Sequence, residues 1–178
     1  GSDTFIRPSM GSWITYGLGT ENENLPGFIT ICPTMTHGGV NAYSSSFLPA
    51  DYAGTPIGNA SIPSDQAKIP FIENADGIPT DLQRAELDFL QKMNRRRLRE
   101  DGSDGDLEAR INSFELAFRM QAAAPELQSI SGETPETLKG YGLENGPTKN
   151  FGRQCLMARR FIERGVRFVQ CTHSYKWD

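Results

Sequence analysis

The residues best suited to chemistry stand just past two apolar runs. His173 and Asp178 follow Val166-Arg167-Phe168-Val169-Gln170-Cys171-Thr172, and His37 follows Phe28-Ile29-Thr30-Ile31-Cys32. In open α/β sheets ligands gather beyond the carboxyl ends of strands, which makes all three positions candidates. A neutral imidazole is a common metal ligand, and an aspartate is a hard oxygen donor suited to magnesium, manganese or zinc. His173 and Asp178 are therefore candidate metal ligands, and His37, within Thr36-His37-Gly38-Gly39, is a candidate substrate-binding residue. The plainer reading of each histidine is a hydrogen-bonded loop side chain. Cys32, Cys155 and Cys171 are odd in number, far apart and without C-x-x-C spacing, which argues against a disulfide framework or a structural zinc and for buried free thiols. No phosphate-binding loop, nucleophile elbow, dinucleotide fingerprint or H-E-x-x-H helix is present.

The elements that must position these residues can be read from periodicity and punctuation. Pro8 near the start and Gly17 and Gly19 near the end bracket a short helix carrying Met10, Trp13, Ile14, Tyr16 and Leu18. Residues 28–32 form a β-rich run stopped by Pro33. Residues 33–78 make a long ordered loop region: prolines and small polar residues break any regular element, while Tyr43, Phe47 and Tyr52 favour docking on a surface. Ile69-Pro70-Phe71-Ile72 is read as a short edge strand.

Leu82, Ala85, Phe89, Leu90 and Met93 recur at helical spacing behind a Thr80 cap, predicting a helix over 81–99. The pattern breaks at 101–106 and resumes with Leu107, Ile111, Phe114 and Phe118 until Pro125, so 79–125 is expected to be an antiparallel helical hairpin. The acidic link between its helices lacks the remaining positions of a calcium loop, and the arginines at 95–99 suit a solvated helix end. Thr134 caps a further short helix, Asn150 a helix through Arg164, and Gly165 leads into the last strand. Helix, glycine, strand is the second half of an α/β unit.

Composition narrows the classes. The chain has 178 residues, 37% hydrophobic and 22% charged, with net charge −4. It is long enough for one core, and it lacks the basic excess that nucleic acid binding requires. No apolar run reaches the ~20 residues of a membrane helix.

One long stretch carries a resemblance. Arg7-Pro8-Ser9-Met10-Gly11-Ser12-Trp13-Ile14-Thr15-Tyr16-Gly17-Leu18-Gly19-Thr20-Glu21-Asn22-Glu23-Asn24-Leu25-Pro26-Gly27-Phe28 resembles the same stretch of the family called domain of unknown function 1501. The likeness continues through Phe47-Leu48-Pro49, Glu108-Ala109-Arg110-Ile111, Glu115-Leu116-Ala117-Phe118-Arg119-Met120-Gln121, Tyr141-Gly142, Phe151-Gly152-Arg153-Gln154-Cys155-Leu156 and Glu163-Arg164-Gly165-Val166-Arg167-Phe168-Val169-Gln170.

That family is similar to the alkaline-phosphatase and sulfatase superfamily. The resemblance implies part of an α/β/α sandwich with the helical hairpin as an insertion. It implies a periplasmic or extracellular setting, and a parent protein that hydrolyses sulfate or phosphate esters, small or glycan-borne, with divalent metal. Zinc, manganese, magnesium and calcium all remain open. It makes Asp178 the best candidate ligand and places the nucleophile outside residues 1–178. The chain is thus expected to be one partial domain, an internal segment inactive alone and holding no metal tightly, with the 33–66 loop and the hairpin shaping the substrate cleft. The alternative is an exported binding or surface protein that keeps the fold without the chemistry. A third reading makes the hairpin an interface between copies, because both helices carry strong apolar faces.

Overall fold

Phe28, Ile29, Thr30 and Ile31 are all buried, and a strand buried on both faces reads as continuous apolar sequence rather than as alternation. This strand, β1 (Phe28–Ile31), is the middle of a three-stranded parallel sheet in the order β2 (Thr55–Ile57), β1, β3 (Phe168–Cys171). Ile29 lies opposite Thr55 on one side and Val169 on the other. The structure is a computed structural model describing residues 5–36, 38–69, 77–102 and 104–173. The proposed edge strand at 69–72 lies almost wholly outside the described residues, as do His37 and Asp178.

Helices cover both faces of the sheet. Because side chains alternate along a strand, Phe28 meets α1 (Met10–Leu18), whose Ser9 cap accepts from the Ser12 N–H. Ile29 and Ile31 turn the other way. There they join Ile57, Leu127, Met157 and Phe161 in one core, supplied by α3 (Gly105–Gln128) and α5 (Gly146–Glu163). α2 (Thr80–Asp101) runs antiparallel to α3, since Arg84 pairs with Glu115 while Gln91, further along, bonds the Ile111 carbonyl. α4 (Pro135–Gly140) follows a Thr134 cap, whose side chain accepts from the Thr137 N–H. The fold is mixed α/β with a small parallel sheet.

Several local expectations change. Within the stretch read as loop, residues 55–57 form β2; Pro56 is tolerated there because β2 is an edge strand and needs no N–H on its open side. Thr80 is the first residue of α2 rather than its cap; Pro79 holds that position with no side-chain bond. α5 begins a turn earlier than Asn150, because Gly146-Pro147 suits a helix start. α3 continues past Pro125, its end held by Leu127, which is 2% exposed, and by Arg160 donating to the carbonyls of Glu126 and Leu127. In the acidic link, Asp104 spends its carboxylate capping α3 through the N–H groups of Asp106 and Leu107.

The Phe28 ring fits a slot with little spare room. Its centroid is 5.3 Å from that of Phe168 in an edge-on pair. A Cβ built on Gly11 would come within 2.6 Å of the ring, and one on Gly54 within 2.7 Å. On propensity alone Gly11→Ala should strengthen α1 by ~1 kcal/mol, but forcing a methyl against two rings costs about 1–3 kcal/mol. Urea unfolding should therefore show Gly11→Ala and Gly54→Ala destabilised. Gly17→Ala, with nothing within 4 Å, should be stabilised by up to ~1 kcal/mol. Equal and same-signed shifts at positions 11 and 17 would refute the slot.

Candidate functional site

The carboxyl ends of the strands open onto a cavity of about 430 Å³, within the range of small-molecule sites. Residues 60–65, which follow β2, form one wall; Gly146, Lys149, Asn150 and Arg153, from the first turns of α5, form the other. The location follows from topology. α5 leads through Gly165 into β3, so its carboxyl end meets the beginning of β3 and its amino end lies at the strands' carboxyl edge.

Two contacts join the walls. The Ser64 N–H donates to Asn150 Oδ1 at 2.6 Å, and the Ser64 hydroxyl donates to the Asn150 carbonyl at 2.9 Å. Asn150, freed from capping, thus fixes the loop against the helix. Lys149 and Arg153 lie one helical turn apart and bring two cations against one carboxylate, Asp65. The Arg153 Nε is buried with no hydrogen-bond partner among the described residues. A buried unmet donor is costly, and the positive end of the α5 dipole adds to the same field. The arrangement can hold an anion that presents several oxygens.

α5 is fixed at other points along its length. A Cβ on Gly152 would fall 1.9 Å from the Tyr141 carbonyl oxygen, so only glycine lets the helix pass that backbone. Further along, Glu133 bonds both Arg159, at 2.7 Å, and Arg160, at 2.6 Å, with its side chain 9% exposed. Arg159, then Arg160, hold the Glu133 carboxyl below the ordinary glutamate range by hydrogen bonding.

The residues singled out in the sequence fare differently. His173 does lie at the carboxyl edge beside α5, exposed, its ring 5.8 Å from that of Phe151 and edge-on to it, but it does not line the cavity. Among the described residues no group of three His, Cys, Asp or Glu side chains is placed to hold a metal ion. Asp178 and His37 lie outside the described residues. Lys149 and Arg153 were not singled out, although a basic i, i+4 pair in the first turns of a helix that leads into a strand was a usable signal. The hairpin lines a different cavity, of about 680 Å³, at the strands' amino ends, where Asn112 donates to Asp51 at 2.9 Å. That cavity is larger, but Glu23 and Asp51 oppose Arg119 there, so it has no cationic excess.

The depressed Glu133 carboxyl sets a pH dependence. A carboxyl with a lowered folded pKa contributes stability above its unfolded pKa, and that contribution fades as pH falls through the folded pKa. Glu133→Gln should lower the thermal midpoint at neutral pH and flatten its fall on acidification. A deficit that stays constant down the acid limb would show that Glu133 does not carry it.

The chain matches one family model over residues 1–178, described as a protein of unknown function (DUF1501). No curated protein and no solved structure matches it. The full-length match carries the earlier resemblance to its conclusion: the chain belongs to the DUF1501 family.

Proposed function

We propose that this chain supplies the oxyanion-holding wall of an ester site in a metal-dependent hydrolase of sulfate or phosphate esters, built on a sulfatase-like α/β/α sandwich and working outside the cytoplasm. The observation that carries the reading is the pairing of Lys149 with Arg153 in the lining of one cavity at the sheet's carboxyl edge. Arginine offers a planar fork of donors that matches two oxygens of a tetrahedral anion, while lysine adds a compact charge. Ser61, on the opposite wall, adds a hydroxyl donor within the same cavity.

In this reading Lys149 and Arg153 grip non-reacting ester oxygens and orient the group. A divalent ion bound in the parent protein would neutralise ester charge and activate a nucleophile.

A second reading, an exported binding protein without chemistry, draws on a different surface. Trp13 and Tyr16 of α1 are about half exposed and Phe47 more so; Trp13 meets Phe47 and Tyr16 edge-on at 5.9 and 6.1 Å. Such rings suit stacking against a glycan.

Titrating sulfate and phosphate into the chain at constant ionic strength should raise its melting temperature. Charge-assisted bonds are worth about 1.5–3 kcal/mol, so Arg153→Ala should weaken anion binding roughly tenfold to hundredfold by calorimetry. Lys149→Ala, at an exposed position, should weaken it less. Anion binding that survives Arg153→Ala, or is absent from the wild type, would overturn the assignment.

A further inference from the structure

The three cysteines, dispersed in sequence, converge at the carboxyl edge of the sheet. Cys171 is the last residue of β3 and lies opposite Ile31; Cys32 follows directly, where β1 turns with φ of 50°. Cys155 is on α5, which packs on β3. Because Val169 and Cys171 share the strand face covered by α5, Cys155 and Cys171 meet between helix and strand. Phe151, one helical turn before Cys155, meets His173, two residues after Cys171, with ring centroids 5.8 Å apart, which sets this length of α5 beside the end of β3. All three thiols are free; Cys32 is buried, whereas Cys155 and Cys171 are partly exposed.

The roles of the two differ. Burial raises Cys155, and the neighbouring Cys171 thiol offsets part of that effect. Burial, then the neighbouring sulfurs, push Cys171 up to about 12. Thiolate is the attacking form in disulfide exchange, so Cys155 is placed to attack first and Cys171 to resolve.

We propose that Cys155 and Cys171 form a modifiable thiol pair, which small-molecule disulfides convert to an internal cystine that staples α5 to β3. The Cys155 thiolate attacks one sulfur of the disulfide, breaking its S–S bond and expelling one thiolate. Cys171 then gives up its proton to solvent and its sulfur attacks Cys155 in the mixed disulfide, expelling the second thiolate. Two electrons pass from the pair to the oxidant, which leaves as two thiols. The staple closes helix end, Gly165 turn and strand into one covalent loop, and such closure stabilises chiefly by restricting the unfolded chain. The inference rests on the placement of the two cysteines on α5 and β3 and is independent of the anion cavity.

The test treats the reduced, folded chain with oxidised glutathione, then unfolds it in denaturant with an alkylating agent to block the remaining thiols, and reads intact mass and a non-reducing peptide map. The expected result is loss of two hydrogens, one alkylated cysteine at Cys32, a linked 155–171 peptide and a higher melting temperature that returns to its starting value with a reductant. Cys32→Ser should retain the link, and Cys171→Ser should stop at a glutathione adduct on Cys155. A bridge to Cys32, a persistent adduct in the wild type, or three unmodified thiols would each overturn the proposal.

Discussion

The fold depends on burying β1 from both sides at once. All four of its residues are buried, and the two faces make different demands. The face carrying Ile29 and Ile31 joins a broad aliphatic core that can accept neighbours of many shapes. The face carrying Phe28 accepts only one arrangement, because the ring is closed in by Phe168, Gly11 and Gly54. That slot sets how near α1 and the start of β2 come to the sheet, and so aligns three segments widely separated in the chain. Close-packed interiors transmit a misfit of even one methyl group.

α5 converts this framework into a site. Its inner residues Leu156, Met157 and Phe161 are fully buried, which fixes the rotation of the helix about its axis. With rotation set, Arg153 must face the 60–65 loop, and the basic pair can only project at the strands' carboxyl edge. Gly152 passing the Tyr141 carbonyl and the Glu133 clamp on Arg159 and Arg160 set its position along that axis. Apolar contacts orient the helix; polar contacts register it.

The helical hairpin obeys a different balance. Between its helices, Arg84 binds Glu115 at 2.9 Å, also pairs with Asp88, and lies over the Phe118 ring at 5.0 Å, while Gln91 donates to the Ile111 carbonyl. Yet Leu82, Phe89, Leu90 and Met93 of α2 remain about half exposed or more. Exposed ion pairs contribute little, so α2 is held by partly buried polar contacts to α3. α3 in turn anchors to the core through Met120 and Leu127.

Periodicity and punctuation alone determined much of the element list. The helices around Trp13, Phe89 and Phe118, the Thr134 cap, and the strands at 28–31 and 168–171 follow from local preferences that act within a few residues. The helix-to-strand passage through Gly165 also placed His173 at a strand's carboxyl edge. Tertiary structure decided what lies further apart in the chain. β2 is a strand only because β1 offers it an edge, and Asn150 is a loop anchor only because Ser64 lies beside it. The meeting of Lys149 and Arg153 with residues 60–65, and of Cys155 with Cys171, depends on which face of α5 is buried and which strand end it reaches. Spacing within a segment encodes a helix's faces, but the partner of each face is set by packing among distant segments, and no local pattern carries that.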